Sequence, residues 1–226
     1  MSPRTRAHFT EELQRLEVQA LGALDLVLIA LDRTLEALRE RDIGLASFVV
    51  ADDDRIDGRY LEVNQSVLSL LALQAPVASD LRTVAAILHV IKHAERMGDQ
   101  CVNIAKLIPL TGHEPPVDDV LMGHVGRMGE LAKAQVAQAR QAFELRDVGL
   151  AEGLPRHDEE IDRLNRECFR RAVEIGNDAD VREWAMTMML VARAIERIGD
   201  NAVDVGEQVA FVVSGLFREF SDAAGS

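Results

Sequence analysis

Carboxylates stand four residues apart, twice over, inside segments that are otherwise apolar. Glu95-Arg96-Met97-Gly98-Asp99 returns as Glu196-Arg197-Ile198-Gly199-Asp200, 101 residues later. A second duplicated pair precedes each copy: Asp53 and Asp57 before the first, Asp158 and Asp162 before the second, with Ile56 and Ile161 in matching places. A spacing of four puts both acids of a pair on one face of a helix. Like charges so placed destabilise a helix by about 0.2–0.5 kcal/mol per pair, and burial costs more because hydration is lost. A multivalent cation reverses the sign of that term. All-oxygen donors suit hard cations, namely Mg, Ca, Mn or iron, whereas zinc usually recruits His or Cys, which these motifs lack. The spacing alone is a weak signal, since Glu114/Asp118 and Glu174/Asp178 share it at expected turns. Duplication and placement carry the argument. The competing reading is that the acids pair with Lys92, Arg96, Arg193 and Arg197, or face water.

Six helices must position these residues. The first is expected from Thr10, a good N-cap, to Arg41, with Leu13, Leu16, Leu24, Val27, Leu28, Leu31, Leu35 and Leu38 as its apolar stripe. The second runs from Ile43 or Asp52 to Leu73. Pro76 breaks the chain, and Ser79 or Asp80 caps a third helix reaching about Pro109. Residues 111–116, rich in Gly and Pro, form a linker. The fourth helix is expected over Val117–Arg146, the fifth from Val148 or Arg156 to Ile175, and the sixth from Val181, after a turn at 176–180, to about Phe220. No stretch alternates as a strand would. The fold class is therefore all-α: six helices as two tandem pseudo-symmetric three-helix bundles, residues 1–112 and 113–226. The register follows. Asp57 lies 19 residues before Pro76 and Glu95 lies 19 after it, so Asp53 and Asp57 should stand level with Glu95 and Asp99 across the hairpin. In the second half Asp162 lies 16 residues before Asp178 and Glu196 lies 18 after it. Gly98 and Gly199 each cost about 1 kcal/mol in a helix relative to Ala, and are expected to permit a close helix or ion approach.

Composition bounds the function. A net charge of −13 disfavours binding to nucleic-acid phosphates or to anionic lipid, and suits cations or a basic protein patch. No run of 18 apolar residues is present, and the N-terminal residues do not read as a signal peptide. Cys101 and Cys168 read as buried free thiols, which points to the cytoplasm. His89 and His93 have helical zinc spacing but fall on a different face from Glu95 and Asp99. Asp80-Leu81-Arg82 reads as a structural cap, and Trp184 and Tyr60 as packing residues. No Gly-rich phosphate loop and no Ser-His-Asp or Cys-His set emerges, so no enzyme activity is expected. The alternative is a ferritin-like, carboxylate-bridged di-metal oxidase or storage bundle; such sites use Glu-x-x-His, and no Glu here has a His three residues on.

The stretch from Leu71-Ala72-Leu73-Gln74-Ala75-Pro76 through Ser79-Asp80-Leu81-Arg82, followed by Glu95-Arg96-Met97-Gly98-Asp99, resembles the PhoU family of phosphate-transport regulators. Asp158-x-x-Ile161-Asp162, Glu196 to Ala202, Gly215-x-x-Arg218-Glu219-Phe220 and His8-Phe9-x-x-Glu12-Leu13 agree with it. The resemblance implies paired three-helix bundles, often dimeric, whose duplicated acidic motifs hold multinuclear iron or zinc clusters. Carried over, the metal positions are Asp53, Asp57, Glu95, Asp99, Asp158, Asp162, Glu196 and Asp200, with Asn103 and Asp204 as weaker candidates. It also implies a cytoplasmic negative regulator of phosphate uptake and of the phosphate-starvation response, contacting the ATPase subunit of the phosphate ABC transporter and a membrane sensor histidine kinase. One departure is Gln74-Ala75, where many members carry Arg-Gln before the proline.

Overall fold

A computed structural model describes residues 3–74, 76, 79–111, 117–175 and 178–220. The linker at 112–116, the turn residues 75, 77, 78, 176 and 177, and the expected boundary between residues 112 and 113 lie outside it. The elements are α1 (Pro3–Glu40), α2 (Ile43–Asp52), α3 (Asp54–Leu73), α4 (Ser79–Leu107) with a 3₁₀ turn at Ile108–Thr111, α5 (Asp119–Leu145), α6 (Val148–Glu152), α7 (Pro155–Glu174) and α8 (Ala179–Ser214). Six long helices carry the fold, and no strand occurs among the described residues.

Both starts entertained for the second and fifth helices turn out to be real, because each is two helices. The cause is a hexapeptide carried twice, Arg41-Asp42-Ile43-Gly44-Leu45-Ala46 and Arg146-Asp147-Val148-Gly149-Leu150-Ala151. Arg41 (φ 56°) and Arg146 (φ 53°) adopt the left-handed conformation that ends α1 and α5. The next residue then caps the following short helix: Asp42 accepts from Leu45 N–H at 2.9 Å and Asp147 from Leu150 N–H at 3.0 Å. Each short helix turns the chain so that Asp53 or Asp158 arrives at the start of a long one.

Two ends differ from expectation. Thr10 does not cap α1, which begins at Pro3; its hydroxyl donates to the Arg6 carbonyl at 3.1 Å, as an interior helical Thr does. The last helix stops at Ser214 and not near Phe220, because Gly215 turns left-handed at φ 77°. The tail folds back instead, with the Phe220 N–H donating to Glu207 at 2.7 Å. Arg82, read as part of a cap, reaches the Val212 carbonyl at 3.3 Å near that same helix C-terminus, where a cation is favoured. Asp80 is held by Arg6 at 2.6 Å.

Helices α4 and α8 pack most extensively on each other. α1 and α3 flank α4; α5 and α7 flank α8. Ile87, Val90, Ile91, Ala94 and Met97 of α4 and Val191, Ala192, Ile195 and Ile198 of α8 are fully buried, and they belong to one apolar cluster drawing on every long helix. α1 and α5 are joined across the halves by Glu17–Arg146, Asp25–Arg140 and Asp32–Lys133. A continuous core should unfold as one unit. Ile91→Ala is expected to lower stability by about 2–5 kcal/mol while leaving a single transition in denaturant; two separated transitions would show that the halves fold independently.

Candidate metal centre

In the first half Asp53 stands at the joint between α2 and α3, Asp57 one turn into α3, and Glu95 and Asp99 on the facing stretch of α4. The helix N-terminus favours the acids there, through the partial positive charge of its free N–H groups. Gly98 explains how closely α4 approaches: a Cβ at that position would lie 3.0 Å from Asp53 Oδ1 and 2.9 Å from Ile56 Cδ1. Removal from water pushes the Asp53 carboxyl up to about 6, with the charges of Asp57, Asp99, Asp54 and Glu95 adding to it. Burial, then Glu95 and Asp57, raise Asp99. Glu95 is drawn aside by Lys92 at 2.7 Å, and that ammonium also sits 5.1 Å from the centre of the Tyr60 ring.

The second half repeats the plan. Asp158 and Asp162 occupy the first turns of α7, opposite Glu196 and Asp200 of α8. A Cβ on Gly199 would lie 3.0 Å from Asp158 Oδ1, 2.9 Å from Gln135 Oε1 and 3.3 Å from Ile161 Cδ1. Glu196 is buried; desolvation lifts it to about 7, Asp200 adds, and Arg193 opposes. Arg193 is ion-paired with Glu196 Oε1, while Glu196 Oε2 is buried with no hydrogen-bond partner. Asp200 is raised by burial and by Asp162. Arg166 lies 3.8 Å from Asp162.

The register expected from counting about the turns therefore holds, and all eight acids fall into two facing groups. The competing ion-pair reading is also partly right: Lys92 and Arg193 each hold one acid of their group. As the side chains stand, no three His, Cys, Asp or Glu among the described residues converge on one point. The donors nonetheless fit a hard cation: they are carboxylate oxygens, four of which (Asp53, Asp99, Glu196 and Asp200) are raised by partial burial and by neighbouring acids, and one oxygen of Glu196 is buried and unpartnered. His93 is not part of a zinc pair. Its Nδ1 lies 2.9 Å from Asn201 Oδ1 and 3.3 Å from Asp204 Oδ2, bridging α4 to α8, and His89 is exposed. That contact also turns Asp204 toward the α4–α8 seam, and Asn103 is exposed. Cys101 and Cys168 are buried free thiols, and Trp184 is buried. Gln135 was not expected at the site; α5 carries Gln135, Gln138 and Gln141 at helical spacing, and the signal to be read was Ala30 at the matching place of α1.

The raised carboxyls give a testable pH dependence. An unfolded carboxyl titrates near about 4. Asp53 and Glu196 titrate higher when folded, so the native state favours their protonated forms. Their contribution to stability is full below the unfolded value and is lost as pH rises through 6 to 7. In chelator-treated protein the double variant Asp53→Asn/Glu196→Gln should melt above the parent at pH 8, and the gap should shrink toward pH 5. A gap that does not change with pH would mean that these acids carry no such penalty.

Comparison with known proteins gives one answer. The PhoU domain matches this chain twice, over residues 22–108 and 125–209. A PhoU homolog 1 of Mycobacterium leprae, a phosphate-specific transport system accessory protein, is 29% identical over 98% of this chain and 99% of its own length. The Zymomonas mobilis homolog is 32% identical over 92% of this chain and 87% of its own. The crystal structure of the phosphate transport system regulatory protein PhoU from Streptococcus pneumoniae superposes with a TM-score of 0.86 at 27% identity, covering 93% of this chain and 99% of that one. PhoU from Pseudomonas aeruginosa gives 0.85 at 28% identity, covering 92% and 100%. With the duplicated helical repeat and the duplicated acids in the same chain, these matches establish that it belongs to the PhoU family.

Proposed function

We propose that this chain is a metal-binding regulatory adaptor of phosphate transport. It restrains phosphate uptake and the phosphate-starvation response by docking on the ATPase subunit of the phosphate ABC transporter and on the phosphate sensor histidine kinase. The reading places it in the cytoplasm, recruited to membrane complexes, as a homodimer. The observation that carries it is the double PhoU match spanning both halves, with relatives named as phosphate-transport accessory proteins. Among the described residues no helix is long and apolar enough to cross a membrane, so docking is on protein surfaces. The chemistry is consistent with an adaptor: the acid groups offer oxygen ligands for a cation, and the output on this reading is a binding event. A cation in each half would neutralise the facing acids and brace α3 against α4 and α7 against α8, stiffening the docking faces. The all-oxygen donor set favours iron, Mn or Mg over zinc.

Replacing Glu95 and Asp99 with Ala should remove metal from the first half and leave the second loaded, measured as metal per chain by mass spectrometry; unchanged content would refute the site. Deleting the protein should raise starvation-gene expression while phosphate is plentiful, and repression that persists in the deletion strain would end the regulatory reading. Because the chain carries a charge of −13, its affinity for the transporter ATPase should fall as salt rises. An affinity that does not respond to salt would place the contact on an apolar surface instead.

A further inference from the structure

The two halves differ at one buried position beside the acids. In the second half α5 sends Gln135, fully buried, toward Gly199. Its amide nitrogen donates to Asp158 Oδ1 at 3.2 Å and lies 3.4 Å from the Leu154 carbonyl. Both of those atoms are acceptors, so a flipped amide would set oxygen against oxygen; the orientation is fixed by the chemistry of its neighbours. The carbonyl oxygen is left without a hydrogen-bond partner. It points at the glycine between Glu196 and Asp200, within 3 Å of the place a Cβ would take, as Asp158 Oδ1 also does. A buried amide oxygen with no donor costs about 1–3 kcal/mol, a cost that a cation beside it would offset. Glu196 Oε2, likewise buried and unpartnered, belongs to the same group.

The first half supplies the control. Counting from the repeated hexapeptide, Arg41 matches Arg146, Asp53 matches Asp158, and Ala30 matches Gln135, each 105 residues on. Ala30 lines a pocket together with Asp53, Ile56, Gly98 and Cys101. There α1 provides a methyl group where α5 provides an oxygen donor.

We propose that the carbonyl oxygen of Gln135 is a direct ligand for a hard divalent cation held among Asp158, Asp162, Glu196 and Asp200, and that it makes the second-half centre the tighter of two unequal sites. The inference rests on the metal-binding reading above. A neutral oxygen adds a ligand without adding a negative charge to four acids that already repel one another. It suits Mn, Mg, Ca or ferrous iron better than zinc.

The test uses Mn(II) and the full chain, with the first-half site silenced by Glu95→Gln/Asp99→Asn. In that background Gln135→Ala, which copies the natural first half, should weaken Mn(II) binding by about tenfold or more in calorimetry. It should also shrink the rise in melting temperature that Mn(II) produces. In the converse background, Glu196→Gln/Asp200→Asn, the variant Ala30→Gln should tighten the first site. If the silenced parent binds no Mn(II), the metal reading itself fails. If the parent binds and Gln135→Ala binds equally, Gln135 is only a packing residue and the proposal is overturned. Should Gln135→Ala not fold, Gln135→Met, which keeps the length of the side chain and removes its oxygen, is measured in its place: weakened Mn(II) binding supports the proposal and equal binding overturns it.

Discussion

Close approach of two helix backbones to half-buried carboxylates is the constraint on which the rest of this molecule depends. Gly98 and Gly199 give up about 1 kcal/mol each of helix propensity so that α4 and α8 can lie against Asp53 and Asp158. Any side chain there would meet a carboxylate oxygen at about 3 Å. The approach takes part of the hydration from these groups and raises Asp53, Asp99, Glu196 and Asp200. It leaves negative charge concentrated on the flank of the bundle, where Glu196 is buried and Asp57, Asp99 and Asp200 are exposed. Protein charges answer only part of it. Lys92 and Arg193 reach one acid each from the rim, and the helix N-termini contribute partial charge. The negative charge left over at these two places is what the proposed cation sites rest on.

The architecture serves those points by repetition. A left-handed Arg, an Asp cap and a short helix deliver the second acid pair to the start of a long helix in each half. The halves then pack through α4 and α8, so the helices that carry the Glu-Arg-x-Gly-Asp motifs also form the centre of the single core. A change in the spacing of α3 from α4, or of α7 from α8, is thereby felt at the seam between the repeats. His93 of α4, bonded to Asn201 and close to Asp204 of α8, sits on that seam. This is a physical route by which occupancy of a centre could reach the outer surface of the bundle.

Repetition is not identity. The ion pairs between α1 and α5 have no second set related by the repeat, His93 faces a residue pair it does not share, and Gln135 stands where Ala30 does. Duplicated folds are free to diverge in this way, because the packing that holds each half is set by apolar spacing while the polar residues inside it are set locally.

By itself the sequence determined the helical class, the duplicated acids and their level placement. Apolar periodicity forces helices, a proline or an Asp-capped turn reverses them, and equal counts from a turn bring equal heights together. It also pointed to the two glycines, because a helix interior tolerates Gly only for a reason of packing. Tertiary structure alone decided other matters. Thr10 looked like a cap, but a helix continues wherever packing covers it, and α1 runs back to Pro3. The kinks before Asp53 and Asp158 depended on left-handed arginines, a conformation that residue type does not announce. Which acids meet Lys92 and Arg193, which way the Gln135 amide faces, and that α4 and α8 form one core all depend on distances between residues far apart in the chain. Helix periodicity says which face a side chain occupies; only packing says what stands opposite it.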